Sequence, residues 1–261
     1  MGVTILPVYV AVNGKEYKDY EDISSEDFLE LIAEVGIPSS SQPSIGEIME
    51  VFEESEEEVL LLSVGDGLSG AYQNAVGAKN SIENNSHIHV MDTKTLAGPQ
   101  RYLLEKAVRL REEGHGIGKI KEELQKCIDS SISFVIPSDF EFLKRSGRLT
   151  PIAAKIGGLI KIVPVMTQTE DKKRIELFVI KRSCRKAVEA VINHLKSLGI
   201  NEDYIISIGH AGVAEKAVSI LAQIKEQFQN TRFELLQLSP SLITHGGPGC
   251  VTIQVIKKIK V

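Results

Sequence analysis

Serine, glycine, arginine and histidine, not paired carboxylates or cysteines, are the residues of this chain that could carry chemistry. Pro38-Ser39-Ser40-Ser41-Gln42-Pro43-Ser44 places a run of hydroxyls between two prolines, directly ahead of Ile45-Gly46-Glu47. Hydroxyls and free backbone N–H groups at the start of a helix bind anions, helped by the helix dipole. Ser44 stands three residues before Glu47, the spacing of a capping box, and is assigned to its helix. Ser40 and Ser41 fit an anion site and a plain polar turn equally well.

Gly67-Leu68-Ser69-Gly70 follows an apolar run and precedes a helical pattern. Ser69 can cap that helix or share its N-terminal N–H groups with a carboxylate or phosphate. No Gly-Lys-Ser/Thr ending follows, and the glycines do not flank Ser69 as a nucleophile elbow requires. Arg145 and Arg148 lie on either side of Ser146-Gly147. A guanidinium fork suits bidentate recognition of a carboxylate or phosphate; Arg148 could equally be a surface arginine or make an inter-domain salt bridge, and for Arg145 that plain reading is preferred. His245 sits in Thr244-His245-Gly246-Gly247-Pro248-Gly249, read as a tight glycine loop in which a ligand can approach the backbone. His210, just after a strand, is a weaker candidate of the same kind.

Other chemistries are set aside. His87 and His89 have no third ligand at a suitable position, so a metal site is not supported. Cys127, Cys184 and Cys250 share no metal-like spacing, and an odd count argues against a disulfide framework and for a reducing cytoplasm. Thirty basic residues against 35 acidic ones give a net charge of -5, with no dense basic block, so a nucleic-acid face is not indicated. No apolar run approaches the roughly 20 residues of a membrane helix, and no signal segment is evident. No Ser/His/Asp relay is spaced recognisably.

The elements that must position these residues follow from pattern. Val3 to Val12 reads as a strand, and Asn13-Gly14 turns it back through Tyr17 as a hairpin. Ser24 to Gly36, Leu68 to Lys79, Thr95 to Glu113 and Ile117 to Ile128 read as helices, separated by strands at Val59 to Val64, His87 to Met91 and Ser131 to Ile136. Such alternation argues for a parallel sheet covered by helices on both faces, with ligands at the carboxyl ends of strands. Beyond Thr150 come a hairpin (Ile162 to Thr167 with Arg174 to Ile180), helices at Ser183 to Leu198 and Val213 to Phe228, and strands at Tyr204 to Ile208, Phe233 to Leu238 and Val251 to Ile256. The expected fold is therefore α/β in two domains. Residues 1–150 form a parallel-sheet, three-layer domain and residues 151–261 a smaller mixed-sheet domain, with the ligand between them. The residues alone lead to a two-domain α/β protein that binds an anion.

Four stretches together resemble the DegV family, which includes the fatty-acid-binding subunits of bacterial fatty acid kinase. They are Ser40-Ser41-Gln42-Pro43-Ser44, Gly67-Leu68-Ser69-Gly70-Ala71-Tyr72-Gln73, Leu143-Lys144-Arg145-Ser146-Gly147-Arg148 and His245-Gly246-Gly247-Pro248-Gly249. The resemblance spans nearly the whole chain. It implies a cytoplasmic bacterial carrier, not an enzyme and without a cofactor. One long-chain fatty acid would lie between the domains with its carboxyl at the mouth. Ser40 and Ser69 would hydrogen-bond the carboxyl, with Ser41, Gly70 and Gly246 beside them, and Arg148 and His245 would face a separate, dihydroxyacetone-kinase-like subunit that delivers phosphate. The carrier would then hold the acyl-phosphate for phospholipid synthesis. Two other readings of the same site are an enzyme acting on a small carboxylate or phosphate, and a degenerate member kept as a structural or regulatory partner.

This chain differs from the family pattern in three places. It starts at the segment that follows the family's first strand and Asp-Ser-Thr-like loop; Gly65-Asp66 stand where two serines are common; Ala71 and Ser40 replace threonines. Burying a sixteen-carbon chain would gain on the order of 10 kcal/mol before ordering costs. Ile156, Leu159, Ile160, Ile162, Val163 and Val165 are candidate liners of the tunnel this needs, most of them equally suited to ordinary core.

Overall fold

Hydrophobic periodicity and punctuation translate directly into the first elements of the computed structural model, which describes residues 2–156 and 162–259. Strands β1 (Tyr9–Val12) and β2 (Lys15–Lys18) form the expected hairpin. Asn13 and Gly14 both take positive φ, 51° and 76°, as a tight turn matched to the twist of the strands demands. Helix α1 (Ser25–Val35) begins at Ser24, whose side chain accepts from the Asp27 N–H, and stops at Gly36. Strand β3 (Ser39–Ser41) then pairs antiparallel with β1. The serine segment between the two prolines, which offers itself as a polar turn, is thus a short strand, because the flank of β1 opposite β2 gives it backbone partners. Helix α2 (Ile45–Glu53) starts with the predicted capping box between Ser44 and Glu47.

Strands β4 (Val59–Ser63) and β5 (Ile88–Asp92) pair in parallel across helix α3 (Ala71–Ser81). Val59, Leu61 and Val90 pack with Ile48 and Phe52 of α2 and with Ala75 and Ala78 of α3. Leu60, Leu62 and Met91 face the opposite way, toward helices α4 (Ala97–Glu112) and α5 (Ile117–Asp129), where Leu103 and Leu124 are fully buried. This two-sided burial is what the continuous apolar run of β4 encodes.

The remaining strands are β6 (Ile132–Ile136), β7 (Val163–Gln168), β8 (Ile175–Lys181), β9 (Tyr204–His210), β10 (Arg232–Gln237) and β11 (Val251–Lys257). They form one mixed sheet in the order β10-β9-β11-β6-β7-β8. Only β9 and β10 run parallel; the other neighbouring pairs are antiparallel. The α/β class holds, with several sheets. The parallel pairing expected within residues 1–150 is found between β4 and β5, while β1 to β3 are antiparallel and β6 lies in the mixed sheet beside β11. A strand cannot choose between those partners from its own pattern; the antiparallel return of β11 decides it.

Helices α7 (Cys184–Ser197) and α8 (Ala214–Lys225) cover one face of this sheet through Val188, Leu195, Ile220 and Ile224, against Phe134, Ile206, Ile208 and Ile253. The other face is more polar: Gln254 is buried and its side-chain amide donates to the Leu96 carbonyl and Ser133 Oγ. Two short helices complete the chain, α6 (Phe140–Arg145) after β6 and α9 (Pro240–Gly246) after β10. A 3₁₀ turn, Ala153–Lys155, follows Pro151. Ile156 packs with Leu143, Leu149 and Met166, and Val163 and Val165 belong to the main core. Leu159 and Ile160 lie outside the described residues. Among those described, no helix is long and apolar enough to cross a membrane.

Candidate functional site

Strand β3 alternates, so successive serines point to opposite sides. Ser40 is half-buried and its Oγ lies 2.8 Å from His245 Nε2, a contact between residues 205 apart in sequence. Ser41 is exposed on the other side, where its hydroxyl donates to Glu16 Oε1 of β2 at 3.3 Å. The structure therefore brings Ser40 to the cluster and leaves Ser41 outside it.

His245 is in the last turn of α9, not in a loop. Ser239 caps this helix, Pro240 occupies its first turn, and the chain leaves it only at Gly247, where φ is 81°. The segment read as a tight glycine loop from Thr244 is helical through Gly246. Gly246 is still helical and buried, and a Cβ there would lie 2.7 Å from Cys250 Sγ, so its smallness serves packing. Burial, and secondarily the charge of Arg148, push the His245 imidazole down from 6.5 to about 4. It is neutral at pH 7, with one ring nitrogen able to donate and the other to accept.

Arg148 follows α6 through Ser146 and Gly147, whose φ of 70° turns the chain sharply. Its Nε donates to the Leu68 carbonyl at 3.0 Å and its Nη1 to the Ser146 carbonyl. Two of its three nitrogens are thus committed to backbone. Arg145 is elsewhere: exposed, with its guanidinium 4.6 Å from the Phe142 ring centre.

The Leu68 carbonyl belongs to the turn that carries Ser69. Ser69 Oγ accepts from the Ala71 N–H at 3.2 Å, at the mouth of α3, and Gly70 is the residue before that helix. A Cβ on Gly70 would lie 2.8 Å from Gln42 Nε2, so the serine strand and the glycine turn touch here. Asn74, one turn into α3, reinforces the junction by donating to the Pro43 carbonyl at 2.9 Å. Gln42 and Asn74 are the residues that sequence reasoning does not single out. Their signal is weak, an amide beside a proline and an amide four residues after Gly70.

Four segments therefore converge: β3 through Ser40 with Gln42 just beyond it, the turn before α3 through Leu68, Ser69 and Gly70, the chain after α6 through Arg148, and α9 through His245. The donors gathered are hydroxyls, a neutral imidazole, a guanidinium and a helix N-terminus, which suits an anionic oxygen. His210 ends β9, is buried, and has Nδ1 without a partner; burial lowers its pKa, with Glu26 the opposing charge. His87 lies in a short 3₁₀ turn and not on β5 with His89, and among the described residues no group of His, Cys, Asp and Glu could hold a metal ion. All three cysteines are free, and burial raises the Cys127 and Cys250 thiols, to about 11 and about 12.

Residues 1–258 match the model of a family described as "Uncharacterised protein, DegV family". A DegV domain-containing protein of Caldanaerobacter subterraneus subsp. tengcongensis is 29% identical over 95% of this chain and 89% of its own length. The crystal structure of a fatty-acid-binding DegV family protein from Streptococcus agalactiae superposes with a TM-score of 0.88 at 25% identity, covering 98% of this chain and 92% of that one. That of DegV, a fatty-acid-binding protein from Bacillus subtilis, gives 0.83 at 25% identity, covering 97% and 91%.

Proposed function

Because this chain belongs to the DegV family, we propose that it is a fatty-acid-binding carrier whose ligand carboxylate sits among Ser40, Ser69, Arg148 and His245. The observation that carries the reading is the 2.8 Å Ser40–His245 contact beside Arg148. It joins a hydroxyl and an imidazole within the field of Arg148 and leaves the imidazole neutral and short of an anionic neighbour. A carboxylate supplies that charge, offsets the effect of Arg148 on His245, and accepts from the serine hydroxyls. The fatty-acid-binding proteins of S. agalactiae and B. subtilis support an acyl chain as the rest of the ligand.

In this proposal residues 1–150 and 151–261 are the two domains flanking the ligand, with β6 lent to the sheet of the second. Ser40 and Ser69 hold the carboxyl. Arg148 and His245 form the face offered to an ATP-dependent kinase subunit, and the carrier keeps the acyl-phosphate product without doing phosphoryl chemistry itself. A hydrolase reading of the Ser40–His245 pair is less favoured. The charged neighbour of His245 is a guanidinium and not the carboxylate that stabilises an imidazolium, and a group at about 4 is a poor base at pH 7. The test is titration with a long-chain fatty acid, comparing the wild type with Ser40→Ala. Binding weakened roughly five- to tenfold, the value of one hydrogen bond to a charged group, is expected; equal affinity would remove Ser40 from the site.

A further inference from the structure

The turn that carries Ser69 is fixed on two sides. From its own half, Asp92 Oδ1 accepts the N–H groups of Asp66 and Lys94, at 3.0 and 2.9 Å, and the Thr95 carbonyl accepts the Gly65 N–H at 2.9 Å. From the other side comes the tip of the β7–β8 hairpin. Lys173 Nζ lies 2.9 Å from Asp66 Oδ2, with Lys173 56% exposed and Asp66 15%. Gly67, at φ 85°, packs so closely on the hairpin that a Cβ there would lie 2.6 Å from the Lys173 carbonyl oxygen. The tip itself is anchored: Lys172 Nζ reaches the carbonyls of Ile128 and Ser131 at 2.7 and 2.9 Å, and Gln168 donates to the Lys94 carbonyl at 3.0 Å.

We infer that Lys173 is a positioning residue: its ion pair with Asp66, together with the Gly67 contact, sets where the Gly65–Gly70 turn presents Ser69 to the ligand. Only Gly67 and Leu68 separate Asp66 from Ser69, and the N–H groups of Leu68 and Ser69 both return to the Gly65 carbonyl. A displacement of Asp66 is therefore passed to Ser69 within a single rigid turn. The far end of the coupling is the main-chain-anchored hairpin, which also borders the site through the main chain of Arg148, whose carbonyl accepts the Ile175 N–H at 2.9 Å. Asp171 and Asp92 also face Lys173, but Asp66 is the carboxylate it contacts, and Gln73 holds the other oxygen of Asp66 at 3.1 Å. This pairing is available here because position 66 is an aspartate.

The inference rests on the carrier reading for its ligand but not for its mechanics, and the experiment separates the two. Hydrogen exchange of residues 65–70 in ligand-free protein is compared between wild type and Lys173→Met, alongside stopped-flow dissociation of a fluorescent long-chain fatty acid. A half-exposed ion pair of this kind is worth about a two- to fivefold effect. Lys173→Met should speed exchange of the Leu68 and Ser69 amides and fatty-acid release by that factor. The reversed pair Asp66→Lys/Lys173→Asp should restore both. Added salt should speed release from the wild type and not from Lys173→Met. Gly67→Ala, which forces the turn off the hairpin without touching the charges, should speed both in low and high salt. Unchanged exchange in Lys173→Met overturns the inference whether or not fatty acid binds. Faster exchange with unchanged release overturns the link to Ser69. Failure of the wild type to bind any fatty acid overturns the carrier reading alone, and exchange then decides the mechanics.

Discussion

Replacing His245 by glutamine should flatten the acid limb of the stability profile. In the folded protein burial and Arg148 hold this imidazole at about 4, against 6.5 for an ordinary histidine. Between those values the unfolded chain binds a proton that the folded chain refuses, so stability rises with pH across the window. It is complete above about 6.5 and is lost progressively as the pH falls toward 4. At 1.36 kcal/mol per unit the full loss is about 3 kcal/mol, trimmed to about 2 kcal/mol because the ring retains some solvent contact. The substituted glutamine keeps an amide that can meet Ser40 Oγ but has no proton to gain. Urea unfolding of both proteins at about pH 7 and about pH 4.5 isolates the term, since His210 and the carboxylates titrate alike in the two and cancel. The wild type should lose about 2 kcal/mol more than His245→Gln between these conditions. Parallel curves would refute the claim that the site keeps His245 neutral. Saturating fatty acid should shrink the difference, because a bound carboxylate favours the imidazolium.

Two further changes separate roles. Ser69→Ala should weaken fatty-acid binding roughly tenfold, the order expected for a hydrogen bond to a charged group. Arg148→Ala should cost less affinity, since Arg148 grips the Leu68 carbonyl and not the Ser69 hydroxyl, and should slow phosphorylation by the proposed kinase subunit much more. Equal losses of both in each variant, read by titration and by phosphate transfer, would contradict the division between holders and presenting face. Away from the site, Phe134→Ala should destabilise the protein by about 3–5 kcal/mol in denaturant unfolding. Phe134 is 2% exposed and packs its ring edge against Phe178, 5.1 Å away.

Local signals carry much of the fold. Asn13-Gly14, the Ser24 cap, the Ser44–Glu47 box and the unbroken apolar run of β4 each act over a few residues, so their structures follow from the residues themselves. Elements decided by distant partners are not legible in this way. β3 is a strand because β1 lies beside it; α6 has only six residues and hides behind Pro137-Ser138, although Asp139 caps it. α9 is hidden when Thr244 to Gly249 is read as a glycine loop, whereas Gly246 stays helical and its small size admits Cys250. The same division applies to the site. The residue types for anion binding can be picked out one by one. That Ser40 rather than Ser41 meets His245 depends on strand parity and on a contact across 205 residues. The role of Lys173 is invisible until the hairpin is placed against Asp66.

Denaturing mass spectrometry of the protein purified from bacteria bears most directly on the carrier reading. One equivalent of a long-chain fatty acid should be released, and the emptied protein should take up another on titration. Protein that releases none and binds none would contradict it.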